Sequence, residues 1–153
     1  MLFLKKFKAV GFKSFANPIE LTFKDSMIGV VGPNGSGKSN IVDAIKWVLG
    51  EQSKKALRGK SSSDIIFHGS KDKDGSDYAL VSLTFDNSNK LLHTDLKEVT
   101  VKGEITKDIE YNCIVNLTVD GVMVLNDSID INESSLNKRL DDWWNVLALF
   151  LVM

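Results

Sequence analysis

Cysteine is nearly absent from this chain, which carries a single one, Cys113, among 153 residues. One thiol forms neither an intramolecular disulfide nor a multi-cysteine zinc site, so the sequence excludes both kinds of cross-link. We expect Cys113 to be a small apolar side chain in a strand, and the chain to be cytoplasmic, in a reducing compartment.

Long hydrophobic runs are also scarce. The apolar residues near the amino terminus are interrupted by Lys5 and Lys6, which is not typical of a signal peptide. The apolar stretch at residues 143–153 has 11 residues, whereas a membrane-spanning helix needs about 20. The sequence therefore predicts no membrane association. Residues 143–153 are expected to be either a buried helix that lacks its partner or a non-native end.

Neither sign of charge dominates, since the net charge is −1. Residues 1–60 nevertheless hold 11 Lys and Arg against 4 Asp and Glu, and residues 61–153 hold 8 against 16. This asymmetry is consistent with a first part that faces anionic ligands, and equally with two solvated surfaces that neutralise each other. The length and a hydrophobic content of 43% predict one globular domain with a core.

Alternation of apolar and polar residues predicts most of the strands. The alternating segments are residues 2–10, 18–23, 78–86, 98–108 and 111–121. Residues 27–31 (MIGVV) form a continuous apolar run, which is typical of a strand buried on both faces. Residues 64–67 (DIIF) predict a short buried piece, and the pattern after Gly121 gives no assignment.

One helix is predicted, over residues 39–49. Ile41, Ile45 and Val48 recur at helical spacing, while Asp43 and Lys46 are expected on the opposite, solvent-facing side. The order of elements predicts an α/β core piece with an antiparallel β layer rather than a repeated βαβ unit.

A phosphate-binding motif joins the apolar run to this helix. Gly32, Gly37, Lys38 and Ser39 match the P-loop pattern G-x-x-x-x-G-K-S/T. Glycines let successive backbone N–H groups converge on phosphate oxygens, and the helix N-terminus adds free N–H groups and partial positive charge. Lys38 is expected to reach the β- and γ-phosphates, and the Ser39 hydroxyl to ligate Mg²⁺.

A P-loop defines a class of ligand and leaves the reaction open. Residues 72–75 (DKDG) match a D-x-x-G element of small GTPases, but no apolar strand precedes them and an N-K-x-D element is missing. A simple P-loop kinase is the other alternative. It would have alternating β and α units, whereas the residues after Asp64 predict strands.

Three segments together resemble one family. They are AVGFKSFANPIELTF, VVGPNGSGKSNIVDAIKWVLGEQSKKALRG and DIIFHGS. They resemble the N-terminal half of the ATPase head of structural maintenance of chromosomes (SMC) proteins, most closely the bacterial chromosome-segregation type. The resemblance covers about residues 1–107. Asn40 after the P-loop serine, the helix end WVLGEQ and the LRG loop make it more specific than a P-loop alone.

The resemblance implies an α/β P-loop NTPase fold, an ABC-type ATPase half-head, with an ATP site. Lys13 and Ser14 correspond to an early segment near the nucleotide, and Arg58 to a loop arginine that reaches toward ATP. Lys13 as an exposed strand end and Arg58 as a solvated loop cation are the alternatives. DNA contact by Lys54 and the nearby Lys55 and Lys60 stays open. The implied ATP-binding residues are Lys13, Ser14, Gly32, Pro33, Asn34, Gly35, Ser36, Gly37, Lys38, Ser39, Asn40 and Arg58.

The resemblance also implies partners that supply the rest of the active site. In the family the C-terminal half of the head brings the Walker B aspartate, the catalytic glutamate and the signature motif, and no matching pattern stands in this sequence. A second SMC head, DNA and kleisin-type subunits complete the implied assembly. The chain alone is therefore expected to bind ATP and Mg²⁺ without hydrolysing ATP, with a non-catalytic remnant or interaction module as the alternative.

The residues after position 107 match the family pattern poorly. The only glutamine is Gln52, so the glutamine that the family carries near the end of this half is missing, and no heptad repeat begins. The sequence predicts an SMC-like segment at 1–107 and a divergent tail at 108–153. That tail is interpreted as the product of a truncated or frame-disrupted gene, or as part of a divergent but intact half.

Overall fold

In the part of the chain that the structure describes, a six-stranded antiparallel sheet and one helix form the fold. The structure is a computed structural model that describes residues 3–25, 27–49, 62–92, 95–107, 113–119 and 122–129, with only backbone pairing described in the last two ranges. The elements are β1 (Phe3–Val10), β2 (Ile19–Thr22), α1 (Lys38–Val48), a 3-10 turn (Ser62–Ile65), β3 (Tyr78–Asp86), β4 (Glu98–Lys107), β5 (Cys113–Val119) and β6 (Val122–Ile129).

The strands lie in the order β2-β1-β3-β4-β5-β6, and every neighbouring pair is antiparallel. β1 pairs with β3 across most of its length, which places Phe7 opposite Leu83 and Ala9 opposite Val81. These four side chains are buried. The alternating pattern thus sends one face of the sheet into the core, as the sequence predicts.

Helix α1 covers that apolar face and packs against β3 and β4. Ala44 and Val48 are fully buried, and Ile41 and Trp47 are nearly so. Ile66, which follows the 3-10 turn, is also fully buried and bridges to Phe12. The helix is therefore confirmed within one residue of its expected bounds, and the short buried piece is confirmed at Ile65 and Ile66.

The prediction of a strand at residues 27–31 is wrong. This run has no regular secondary structure, and Met27 and Val31 expose 89% and 92% of their surface. A fully apolar strand is stable only with neighbours on both edges and both faces. Among the described ranges no strand pairs with this run, so its side chains remain in contact with solvent.

The sheet continues where the sequence pattern fades. β5 confirms the expected strand around Cys113, and β6 follows it where the sequence pattern gives no assignment. Polar residues in the middle of β6, Asn126 and Asp127, break the alternation that would have revealed it. Residues 143–153 lie outside the described residues. Within the part of the chain that is described, no helix is long and apolar enough to cross a membrane.

Lysines of β1 meet acidic partners rather than forming a basic surface. Glu20 on β2 pairs with Lys8 at 2.9 Å and with Lys6 at 3.5 Å, and Lys5 pairs with Glu98 on β4. The hydrogen bond from Lys8 lowers the pKa of Glu20, and the bond to Glu98 raises the pKa of Lys5. For this strand, mutual neutralisation explains the charge asymmetry better than an anion-facing surface does.

Candidate functional site

The glycine loop leads directly into α1. Gly35 and Gly37 have φ of 80° and 88°, a left-handed conformation that side chains with a Cβ rarely adopt. At Gly37 space matters as well, because a Cβ would lie 3.0 Å from Ser14 Oγ and 3.1 Å from Phe15 Cε1. At Gly35 a Cβ would meet nothing within 4 Å, so this part of the loop is open. The loop is thus fixed at its helix end and accessible at its tip.

Lys38 folds its ammonium group back over the loop. Its Nζ donates hydrogen bonds to the carbonyl oxygen of Gly32 and, at 2.6 Å, to that of Pro33. The hydroxyl of Ser36 lies 3.5 Å from the same nitrogen. The positive charge of Lys38 therefore lies within the loop, at the place where P-loops bind the β- and γ-phosphates.

The start of α1 adds further attraction for an anion. Gly37 is the N-cap residue, and the first turn contains no acidic side chain. The first N–H groups of a helix have no acceptor within the helix, and the helix dipole makes this end partly positive. Ser39, in this first turn, is exposed. A phosphate group bound at this helix end would therefore lie close to the Ser39 hydroxyl.

Residues 12–15, which we call the strap, run antiparallel to α1 along one side of it. Asn40 Nδ2 donates to Ser14 Oγ at 2.6 Å, and Lys13 Nζ lies 2.7 Å from Asp43 Oδ2. At the far end the rings of Phe12 and Trp47 have centroids 5.7 Å apart. The helix positions 37, 40, 43 and 47 are spaced by three or four residues, so they share one face. The strap therefore ties the sheet to the P-loop helix.

The prediction that Asp43 faces solvent is wrong. Asp43 was expected on the solvent-facing side of α1, yet only 4% of its surface is exposed. Lys13 is not an exposed strand end either, since 12% of its side-chain surface is accessible. The two side chains compensate each other's charge, which is what allows both to be buried.

An open cavity of about 540 Å³ lies between the strap and the residues that follow the 3-10 turn. The backbone joins its two walls, because Lys13 N donates to Ile65 O and Phe67 N donates to Gly11 O, both at 2.7 Å. Its volume is in the range of small-molecule sites. The residues that line it are Lys13, Ser14, Asn40, Asp64, Ile66, Phe67, His68 and Gly69.

Most residues of the expected ATP site come together. Gly32 to Asn40 form the loop and the first turn of α1. Ser14 contacts Asn40 in that turn, and Lys13 contacts Asp43 in the next turn. Arg58 lies outside the described residues, as do the three lysines around it. Sequence reasoning assigned no role to Asp43 or to His68 and its neighbours. The segment DIIFHGS carried the family resemblance, and that was the available signal for the second wall.

A glycine loop that opens a helix, with a lysine folded over it and a cavity beside it, defines a P-loop nucleotide-binding domain. The α/β arrangement with an antiparallel β layer is that of an ABC-type half-head. The family model described as RecF/RecN/SMC N terminal domain matches residues 3–132, and the chain belongs to this family. Membership excludes an unrelated P-loop kinase or a small GTPase.

Known relatives agree with this assignment. The chromosome partition protein Smc of Mycoplasma genitalium is 63% identical over 105 residues, which are 69% of this chain and 11% of that protein. The Smc head domain of Pyrococcus furiosus, solved with the C-terminal domain of ScpA, superposes with a TM-score of 0.77 at 30% identity. The superposition covers 97% of this chain and 33% of the Pyrococcus chain. The chain thus spans about a tenth of the length of the Mycoplasma relative.

Proposed function

We propose that this chain is the ATP-binding N-terminal half of an SMC-type ATPase head. The observation that carries the proposal is the Lys38 ammonium group, held over the loop at the start of α1. The loop from Gly32 to Ser39 would hold the phosphates, with Lys38 at the β- and γ-phosphates. The cavity would take the nucleoside, because it shares Asn40 with the first turn of α1 and so begins beside the loop.

Saturable binding of Mg·ATP without turnover is the expected behaviour of the isolated 153-residue chain. Isothermal titration calorimetry measures the binding, and phosphate release measures the turnover. The absence of saturable binding at millimolar ATP would overturn the proposal in favour of a non-catalytic remnant. Phosphate release that persists through repeated purification would show that hydrolysis does not depend on another half of the head.

The Ser39 hydroxyl is the protein ligand that we propose for Mg²⁺. Mg²⁺ in nucleotide sites uses one or two protein oxygens together with phosphate oxygens and water, and an exposed hydroxyl beside Lys38 fits that set. When bound, the ion neutralises phosphate charge. ATP hydrolysis by the complete head would need further Mg²⁺ ligands and a group that orients water.

Replacing Ser39 with alanine should abolish the gain in ATP affinity that Mg²⁺ produces. Affinity measured in EDTA should stay at the wild-type value, because the loop and Lys38 are unchanged. Titrations with and without Mg²⁺ measure the difference, and Ser39→Thr, which keeps a hydroxyl, is the matched control. A full Mg²⁺ effect in Ser39→Ala would refute this role.

The remaining parts of the assembly are proposed from the family. We propose that the C-terminal half of the head covers the exposed run at residues 27–31 and supplies the hydrolytic groups. A second head, DNA and a kleisin-type subunit would act on the completed head, in the cytoplasm. The solved Pyrococcus head carries part of ScpA, which supports a protein partner of that kind. The boundary between a segment at 1–107 and a tail at 108–153 stays a prediction.

A further inference from the structure

A buried carboxylate on α1 has no place in the phosphate loop. Asp43 lies four residues after Ser39, and 5% of its side-chain surface is accessible. Its Oδ2 contacts Lys13 Nζ at 2.7 Å. Burying two charges is costly even when they pair, and an apolar pair of similar volume often stabilises a fold as well. Stability alone therefore does not explain why this pair stands here.

The residue that Asp43 holds is in an unusual conformation. Lys13 has φ of 49°, in the left-handed region that residues other than glycine seldom occupy. Such a conformation persists where the surroundings hold it in place. Two contacts do so: the backbone N–H of Lys13 donates to Ile65 O, and its side chain reaches Asp43. The next residue, Ser14, is placed so that it accepts the hydrogen bond from Asn40.

Lys13, Ser14 and Asn40 all line the cavity, whereas Asp43 is not among its lining residues. The carboxylate thus acts on the cavity through Lys13. Because Lys13 neutralises it, a negative charge can stand one turn below the P-loop without repelling phosphate. With Lys13 opposite Asp43, Ser14 lies opposite Asn40 at the start of α1.

We infer that Asp43 is a positioning residue for the nucleoside half of the ATP site: through Lys13 it fixes the Lys13–Ser14 wall relative to the P-loop. This inference rests on the proposed function, because it assumes that the cavity takes the nucleoside. It separates two contributions to affinity. Binding of the phosphates depends on the loop and Lys38. Binding of the nucleoside depends on the Lys13–Ser14 wall, whose position Asp43 fixes.

The test compares ATP with inorganic tripolyphosphate, which has the phosphates and no nucleoside. In Asp43→Asn the amide oxygen can still accept a hydrogen bond from Lys13, but the negative charge that pairs with the ammonium group is lost. The affinity for ATP should therefore fall about tenfold, while that for tripolyphosphate should not change. Calorimetry on the 153-residue chain measures both. Asp95→Asn is the matched control, because Asp95 is fully exposed and also pairs with a lysine, Lys90, at 3.4 Å.

Each outcome decides the inference. An equal loss for both ligands, or no loss for either, would show that Asp43 serves the fold alone. If Asp43→Asn does not fold, Asp43→Glu keeps the charge but displaces the carboxylate, and the ratio of ATP to tripolyphosphate affinity should still fall. An unchanged ratio, or failure of both variants to fold, would overturn the inference. A failure of the proposed function appears differently, as a wild-type chain that binds neither ligand, and it would overturn both.

Discussion

Replacing Lys38 with alanine should weaken ATP binding about a hundredfold, since several hydrogen bonds to a charged group are lost together. Lys38 Nζ donates hydrogen bonds to the carbonyl oxygens of Gly32 and Pro33, so the ammonium group stands inside the loop. Phosphate oxygens are stronger acceptors for it than neutral carbonyls are. Titration calorimetry with Mg·ATP measures the change.

Lys46→Ala is the matched control for this variant. Lys46 lies in the last turn of the same helix and is exposed, so its replacement changes the net charge by the same amount. It should leave ATP affinity at the wild-type value, because it lies at the end of α1 away from the loop. Equal affinities for wild type and Lys38→Ala would contradict the assignment of the loop as a phosphate site.

Replacing Phe12 with alanine should lower the free energy of unfolding by about 3 to 5 kcal/mol, the usual cost of removing a buried phenylalanine. Phe12 has no exposed surface, bridges to Ile66 and packs against the ring of Trp47. Domains of this size have a total stability of about 5 to 15 kcal/mol, so the variant should be close to unfolding. Urea denaturation followed by far-UV circular dichroism measures the shift in midpoint.

Val42→Ala provides the comparison for Phe12→Ala. Val42 lies on α1 beside the buried Ile41, yet 51% of its surface is exposed. Its truncation removes little buried area, and alanine is the better helix former, so stability should change by less than about 0.5 kcal/mol. A similar loss in both variants would show that the strap contributes no more to the core than the exposed face of the helix does.

The helix and strands β1 to β5 were predictable because their signals are local. Ala79, Val81, Leu83 and Phe85 stand at every second position and so share one face, and all four are buried in β3. The P-loop was predictable for the same reason, since its glycines and Lys38 stand at fixed spacing. Pattern and structure agree wherever one element meets one apolar face.

The errors concern residues whose partners are distant in sequence. Asp43 falls on the polar side of a helical pattern, and its buried carboxylate pairs with Lys13, thirty residues earlier. Residues 27–31 have the composition of a buried strand, but neighbours for it are not among the described residues. The role of Arg58 in ATP binding remains a prediction. Helical periodicity describes one face of an element and carries no information about which remote side chain arrives there.

The order of the sheet has a consequence for synthesis. β1 pairs with β3, and the P-loop and α1 lie in the chain between them. The 67 residues between Val10 and Tyr78 therefore form a closed loop in the native state. Loop closure on this scale is slow compared with helix formation. The phosphate loop is translated before β3, but β1, which leads into the strap, can pair with β3 only after β3 has been made. A ribosome-bound chain that ends before β3 should therefore contain the complete P-loop sequence and lack a nucleotide site.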